Sequence, residues 1–290
     1  MNRSPHTIFF WFFGLLYVFF QGNAYSQSSE ISFFVGMSNY LGDLNNKPLV
    51  TKNAGKVLGL NFKFQLNEKF WLRASAAQSS IAGYDKDNDV KLQPRNLSFQ
   101  TNITEGYLAV EYRLFSPERH AVTPYFFAGA GAFRFNPYVN FGDKNEKVYL
   151  QPLGTEGQGL PEYPDRKMYK LTQFFVPLGG GLLWNVNEKW LLGIEFRQNL
   201  TFTDYLDDVS TRYALLAPLL RDRGPLAVEL AWRRDEYDGR PYANNEGLRG
   251  NPNNNDWYYY LGLNAGFRLK GGSANSSFKK RKSQLGCPKW

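Results

Sequence analysis

Hydrophobic and polar positions alternate with a period of two in block after block of this chain. From Glu30 to Tyr40, Ile31, Phe33, Val35 and Met37 share one face while Ser32, Gly36 and Ser38 share the other. Side chains on a strand point alternately to its two sides, so this pattern predicts a β-strand with one apolar face. The pattern recurs in Lys56 to Gln65 (Leu58, Leu60, Phe62, Phe64), Lys69 to Ser80 (Phe70, Leu72, Ala74, Ala76) and Gly106 to Leu114 (Leu108, Val110, Tyr112, Leu114). In Thr123 to Phe135 the apolar row is Tyr125, Phe127, Phe133 and Phe135, and Phe174 to Trp184, Lys189 to Leu200 and Trp257 to Leu269 complete a set of eight strands. Ten strands is the alternative, because Leu226 to Trp232 also alternates; a helix is expected near Val209 to Leu220.

The position of charge within these strands separates two all-β architectures. A face against lipid excludes ionised groups, whose cost at mid-bilayer is about 2 to 4 kcal/mol for Arg or Lys. Lys63, Arg73, Glu105, Glu111, Arg113, Arg134, Glu195, Arg197 and Arg268 all fall by parity opposite the apolar row of their strand. A soluble sandwich also alternates, but its apolar rows meet in one core rather than forming an aromatic belt on every strand. The expectation is a transmembrane antiparallel outer-membrane β-barrel whose mixed charges fill a narrow lumen. Trp71, Trp184, Trp190 and Tyr125 are placed in its periplasmic girdle.

Connection lengths agree, since such barrels have short periplasmic turns and long outer loops. Asn67-Glu68, Ser116 to Val122 and Asn185 to Glu188 are short, and they alternate with the long segments Leu41 to Gly55, Ala82 to Asn96, Asn140 to Thr172 and Thr201 to Asn255. Leu66-Asn67-Glu68-Lys69-Phe70-Trp71-Leu72 also echoes Val186-Asn187-Glu188-Lys189-Trp190-Leu191-Leu192. That echo fits either two four-stranded halves or two similar turns beside the girdle.

Composition adds the ends of the chain. Arg3 and His6 precede the uncharged run Ile8 to Phe20, and Ala24-Tyr25-Ser26 supplies small residues before Gln27, so residues 1–26 read as a cleaved signal peptide. A run of 13 residues is too short for the roughly 20 that a spanning helix needs. Residues 27–269 then form the barrel, and residues 270–290 form a basic tail in the periplasm. The formal charge of +8 sits largely in that tail, in Lys270, Lys279, Lys280, Arg281, Lys282 and Lys289, with no acidic residue there. Its expected partners are acidic protein surface or anionic lipid; the compartment excludes nucleic acid. Cys287, the single cysteine, is odd in an oxidising compartment and suggests a disulfide to a periplasmic partner.

Catalytic chemistry finds little support. His120 is the one histidine beyond residue 26 and lies in a periplasmic turn beside Ser116 and Glu118, where adjacency makes no triad. Asp85, Asp87 and Asp89 alternate as in a calcium loop, but the glycine and closing glutamate are missing. The expectation is therefore no enzyme, no metal and no cofactor.

At Ser38-Asn39-Tyr40-Leu41-Gly42-Asp43-Leu44-Asn45 the chain resembles the opening of the PorG-like outer-membrane barrels, the DUF6089 family of Bacteroidota. Phe202-Thr203-Asp204-Tyr205-Leu206-Asp207-Asp208-Val209-Ser210, Asn255-Asp256-Trp257-Tyr258 and the Cys287-Pro288 terminus extend the resemblance over most of the exported chain. It implies a non-enzymatic component of the type IX secretion system, integral to the outer membrane, that anchors or assembles a periplasmic ring built from a lipoprotein and its partner. Tyr40, Leu41, Gly42, Asp43, Asp204, Tyr205, Asp207 and Asp208 are its signature residues, expected to pack over the barrel mouth. Cys287 and the Lys279 to Lys282 run are the expected contacts to the ring lipoprotein. A surface adhesin or small-solute channel is the alternative reading.

Overall fold

The computed structural model describes residues 28–45, 47, 52–116 and 120–269. In chain order the strands are β1 (Ser29–Leu41), β2 (Gly55–Gln65), β3 (Phe70–Tyr84), β4 (Ser98–Arg113), β5 (Val122–Arg134), β6 (Tyr138–Phe141), β7 (Glu146–Tyr149), β8 (Thr172–Asn185), β9 (Trp190–Thr201) and β10 (Trp257–Leu269). Eight of them, all but β6 and β7, pair antiparallel with their neighbours in the circular order β3-β2-β1-β10-β9-β8-β5-β4, and the β3–β4 pairing closes the sheet. Following paired residues once around, from Asn39 through Tyr259, Gln198, Leu178, Ala128, Val110, Leu72 and Phe64, returns to β1 at Ser29. The circuit thus slips ten residues along the strand, which tilts the strands and leaves an interior that side chains can fill.

The barrel is inside-out relative to a soluble protein. Large apolar side chains such as Phe33, Leu58, Phe126, Phe174, Trp184 and Leu263 stand 60% or more exposed on the outer wall, while Arg73, Arg113, Lys63 and Glu111 are almost wholly buried inside. A belt of that extent is unfavourable in water and suits hydrocarbon. The barrel strands run from 11 to 16 residues, enough to cross a bilayer obliquely. This is the eight-stranded fold of an outer-membrane barrel.

The extra strands are not where the alternation of Leu226 to Trp232 places them. That run forms helix α2 (Pro225–Ala231), which follows α1 (Leu216–Arg223). Pro225 occupies the first helical turn, where its missing N–H costs nothing, and Leu226 and Leu230 are one helical repeat apart as well as in strand phase. The two additional strands are instead the hairpin β6–β7 in the loop after β5.

Two sequence expectations fail on orientation. Arg134 does not enter the lumen: it is exposed on the outer wall at the far end of β5. The β5 row Tyr125, Phe127 and Phe133 points inward, so the residue opposite it points out. Trp71 and Tyr125 likewise lie inside rather than in the girdle, where Trp184 and Trp190 do stand exposed. Residues 1–26, Cys287 and Lys279 to Lys282 lie outside the described residues.

Candidate functional site

The inward charges of β1 to β4 and β9 meet near the short-turn end. Arg113 grips Glu30 through two bonds of 2.6 and 3.0 Å and donates Nε to Glu111 at 2.9 Å. Lys63 Nζ lies 2.8 Å from the other oxygen of Glu111. Arg73 makes a second bidentate pair, with Glu195, at 2.8 and 2.9 Å, and also donates to Asn61. Tyr125 and Asn264 complete the Glu195 shell at 2.7 and 3.0 Å. Arg268 stands at the mouth, 3.5 Å from Glu30. Aromatic faces support the cations: Arg113 lies 3.8 Å over Trp71 and Arg73 lies 4.2 Å over Phe127.

Higher in the lumen, Arg197 pairs with Glu105, whose second oxygen accepts from Tyr258 and Tyr260 at 2.7 and 3.1 Å. The guanidinium lies between the rings of Tyr107 and Tyr260. Small residues make this filling possible. A side chain at Gly181 would strike the Ile194 carbonyl and the Tyr125 hydroxyl. Above these ions lies an aromatic layer in which Phe133 contacts Phe135, Phe175 and Tyr258.

The long loops close the upper mouth. Tyr40, at the top of β1, hydrogen-bonds the carboxyl of Asp207 and lies 3.2 Å from that of Asp256, which in turn accepts from the Leu206 amide at 2.9 Å. The Tyr40 hydroxyl is thus faced by two buried carboxyl groups. Burial, with the Asp43 charge behind it, pushes Asp207 well above the usual carboxylate range; burial and the Asp207 charge do the same to Asp256. Gly42 lies against this cluster, where a Cβ would overlap Asp256 Oδ1 and the Tyr40 hydroxyl. Asp43 accepts the Asn251 amide at 3.0 Å, tying the first loop to the last. Leu41 pairs with Trp257 as the last rung of β1 on β10.

A second cluster extends outward. Asp208 adopts a left-handed φ of 67° and is held there by Thr155 and Tyr169 hydroxyls at 2.5 and 2.7 Å and by Arg249 at 3.7 Å. Glu156 accepts the amides of Ser210 and Thr211 at 2.9 Å and pairs with Arg249 at 3.2 Å. Tyr205 stacks on Tyr169, and Asp204 sits half-buried, pushed up to about 8 by burial with the Asp43 and Glu156 charges adding to it. One apolar core runs from Tyr125 and Phe127 in the lumen to Leu206, Val209 and Leu230 in the loops, so cap and barrel are packed as one body.

The sequence marks most of the lumen charges, and Tyr40, Gly42, Asp43 and Asp207 at the mouth, but not Glu30, Glu156 or Arg249. Glu30 carries the only visible signal, an inward parity at the first strand; Glu156 and Arg249 lie 93 residues apart in aperiodic loops. Asp85 and Asp87 are engaged by bases, Arg95 at 2.6 Å and Lys52 at 2.6 Å. Among the described residues no group of three or more His, Cys, Asp or Glu side chains is placed to hold a metal ion.

No curated protein matches the chain. Among solved structures it is similar to the attachment invasion locus protein Ail of Yersinia pestis, with 10% identity and a TM-score of 0.39 over 84% of this chain and 99% of that one. It is also similar to Neisserial surface protein A, with 10% identity and a TM-score of 0.39 over 86% of this chain and 99% of that one. The outer membrane protein OprG from Pseudomonas aeruginosa aligns at 10% identity and a TM-score of 0.34 over 84% and 94% of the two chains. The model of a domain of unknown function, DUF6089, matches residues 8–153, half of the chain, and this protein belongs to that family.

Proposed function

We propose that this chain is a non-enzymatic outer-membrane subunit of the type IX protein secretion system that anchors or assembles its periplasmic ring. It is exported, sits integrally in the outer membrane with lipid around its belt, and sends its basic tail into the periplasm. The observation that carries the reading is the filled lumen: buried ion pairs and an aromatic layer occupy the interior and a packed cap covers its outer mouth. A barrel built this way offers its rims and tail to partners rather than a path to solutes. Cys287 is the covalent attachment to the ring lipoprotein and Lys279, Lys280, Arg281 and Lys282 its electrostatic one.

Purification from outer membranes with thiols blocked and no reductant, followed by mass spectrometry of what remains attached, tests this. Recovery of a periplasmic ring lipoprotein with wild type and its loss with Cys287→Ser is the expected result. Recovery of the barrel alone in both overturns the anchor. A surface adhesin is the second reading, favoured by the ordered cap that the outer loops build; ligand capture by intact cells without any periplasmic partner would support it.

A further inference from the structure

On the lipid-facing wall one sector is hollow. Ala74 and Ala76 of β3, Gly106 of β4 and Ala130 of β5 stand side by side there, while Leu60, Phe62 and Leu108 rise around them, leaving a groove of about 470 Å³. Elsewhere that wall carries side chains as large as Phe33, Phe126, Trp184 and Leu263. Nothing in the packing asks for a glycine at 106: a Cβ there would meet only the Ser75 carbonyl, at an ordinary 3.7 Å. A glycine inside a strand weakens it, and one place that uses it is where another molecule approaches the backbone closely.

The wall changes character directly above the groove. Two residues beyond Gly106, Thr104 pairs with Arg134 on one side and Gln78 on the other, and Arg134 pairs in turn with Thr172 of β8. Arg134 is exposed, and no ion pair holds it among the described residues. Its height fixes the leaflet. A slip of ten residues over eight strands tilts the strands by about 40°, so each residue climbs about 2.5 Å and each step from β9 towards β2 falls about 3 Å. Arg134 then stands within about 3 Å of the level of the exposed rings Phe174 and Trp257, and about 28 Å above those of Trp184 and Trp190, which matches the height of an outer-membrane apolar belt. The groove floor lies about 8 to 16 Å below Arg134, in the outer leaflet for most of its length.

We propose that the groove and Arg134 together bind a phosphate-bearing lipid of the outer leaflet. One acyl chain lies on Gly106 and its alanine neighbours, and the phosphate sits on the Arg134 guanidinium between the hydroxyls of Thr104 and Thr172. The stem of Arg134 covers apolar wall while its head reaches the interface, where it donates two parallel bonds to phosphate oxygens. Lys170, exposed two residues before Thr172, adds a second positive charge to that edge. The cation favours lipid over other occupants. A second copy docked groove to groove would set Arg134 against Arg134, and an apolar helix would leave it without a counter-charge. The inference needs the barrel and the outward direction of its long loops, and is independent of the secretion role.

The test titrates hexa-acyl, diphosphoryl lipid A, or the same lipid with its phosphates removed, into the folded full-length protein in detergent and counts bound lipid by native mass spectrometry. Wild type is expected to hold one phosphorylated lipid about tenfold more tightly than the dephosphorylated one. Arg134→Gln should erase that difference. Gly106→Leu, which fills the groove, should weaken both lipids about tenfold. Ala265→Leu, on β10 four strands around the ring, should change neither. Heat-modifiable gel migration shows that each variant is folded. Equal affinity of wild type for the two lipids, no loss with Gly106→Leu, or the same loss with Ala265→Leu overturns the site. So does displacement of the lipid by equimolar inorganic phosphate, which would leave only an anion contact, or a barrel dimer that forms without lipid and that Gly106→Leu dissolves.

Discussion

Replacing Glu195 by Gln removes one charge from a fully enclosed ion pair of the lumen. Glu195 is 1% exposed and accepts two bonds from Arg73, which is wholly buried. Stranding one partner of such a pair costs about 3 to 5 kcal/mol. Arg73 keeps Asn61 at 2.9 Å and Glu111 at 3.6 Å, which places the loss at the lower end, about 3 kcal/mol. Arg73→Met strands Glu195 with Tyr125 and Asn264 as its remaining direct partners and costs about the same. The double variant leaves neither charge behind, and its expected cost is about 1 to 2 kcal/mol, well below the sum of the singles. Urea unfolding of the purified protein in lipid, followed by tryptophan fluorescence, measures all three. Singles that each cost under about 1 kcal/mol, or a double that equals their sum within about 0.5 kcal/mol, would refute the idea that these ions are held by each other.

Further outcomes concern the cap. Gly42→Ala drives a methyl into Tyr40 and Asp256 and is expected to cost about 1 to 3 kcal/mol locally, seen as faster protease nicking within residues 202–256 while the barrel keeps its heat-modifiable migration; unchanged nicking would sink it. Asp204, Asp207 and Asp256 have raised values in the folded cap, so their contribution is present at low pH and lost as pH rises through those values, about 8 for Asp204. Nicking rate, normalised to an unfolded substrate, should rise from pH 5 to pH 9; greater protection at pH 9 contradicts the raised carboxyl values of the cap. Arg134→Gln, on the outer wall, should change stability by less than about 0.5 kcal/mol, against about 3 kcal/mol or more for Arg113→Gln, in the same urea assay.

The barrel was legible because its alternation is carried by every spanning strand and because ionised residues cannot face lipid: Lys63, Arg73, Glu111 and Glu195 reveal the inside without any knowledge of pairing. Parity fails where both faces are apolar. On β5 the inward row holds Tyr125, Phe127 and Phe133, which stack against buried cations and rings, while the outward row includes the small residues Ala128, Ala130 and Ala132. Hydrophobicity alone therefore assigns the larger row to lipid and sends Arg134 inward. Trp71 misleads for the same reason, since its ring is a seat for Arg113 rather than an interfacial anchor. The cap was legible only as a set of signature positions. Its bonds join Asp43 to Asn251, Tyr40 to Asp207 and Glu156 to Arg249, contacts between distant loops that leave no period in the sequence.

Ion conductance of the purified full-length protein in planar bilayers, with a voltage held across the membrane, addresses the central claim most directly. A lumen filled by Glu30–Arg113, Lys63–Glu111, Arg73–Glu195 and Arg197–Glu105 under a packed cap predicts silence, and predicts brief openings once Glu195→Gln weakens the filling. Sustained, reproducible unitary conductance from the wild-type protein would contradict a closed barrel and favour a solute channel.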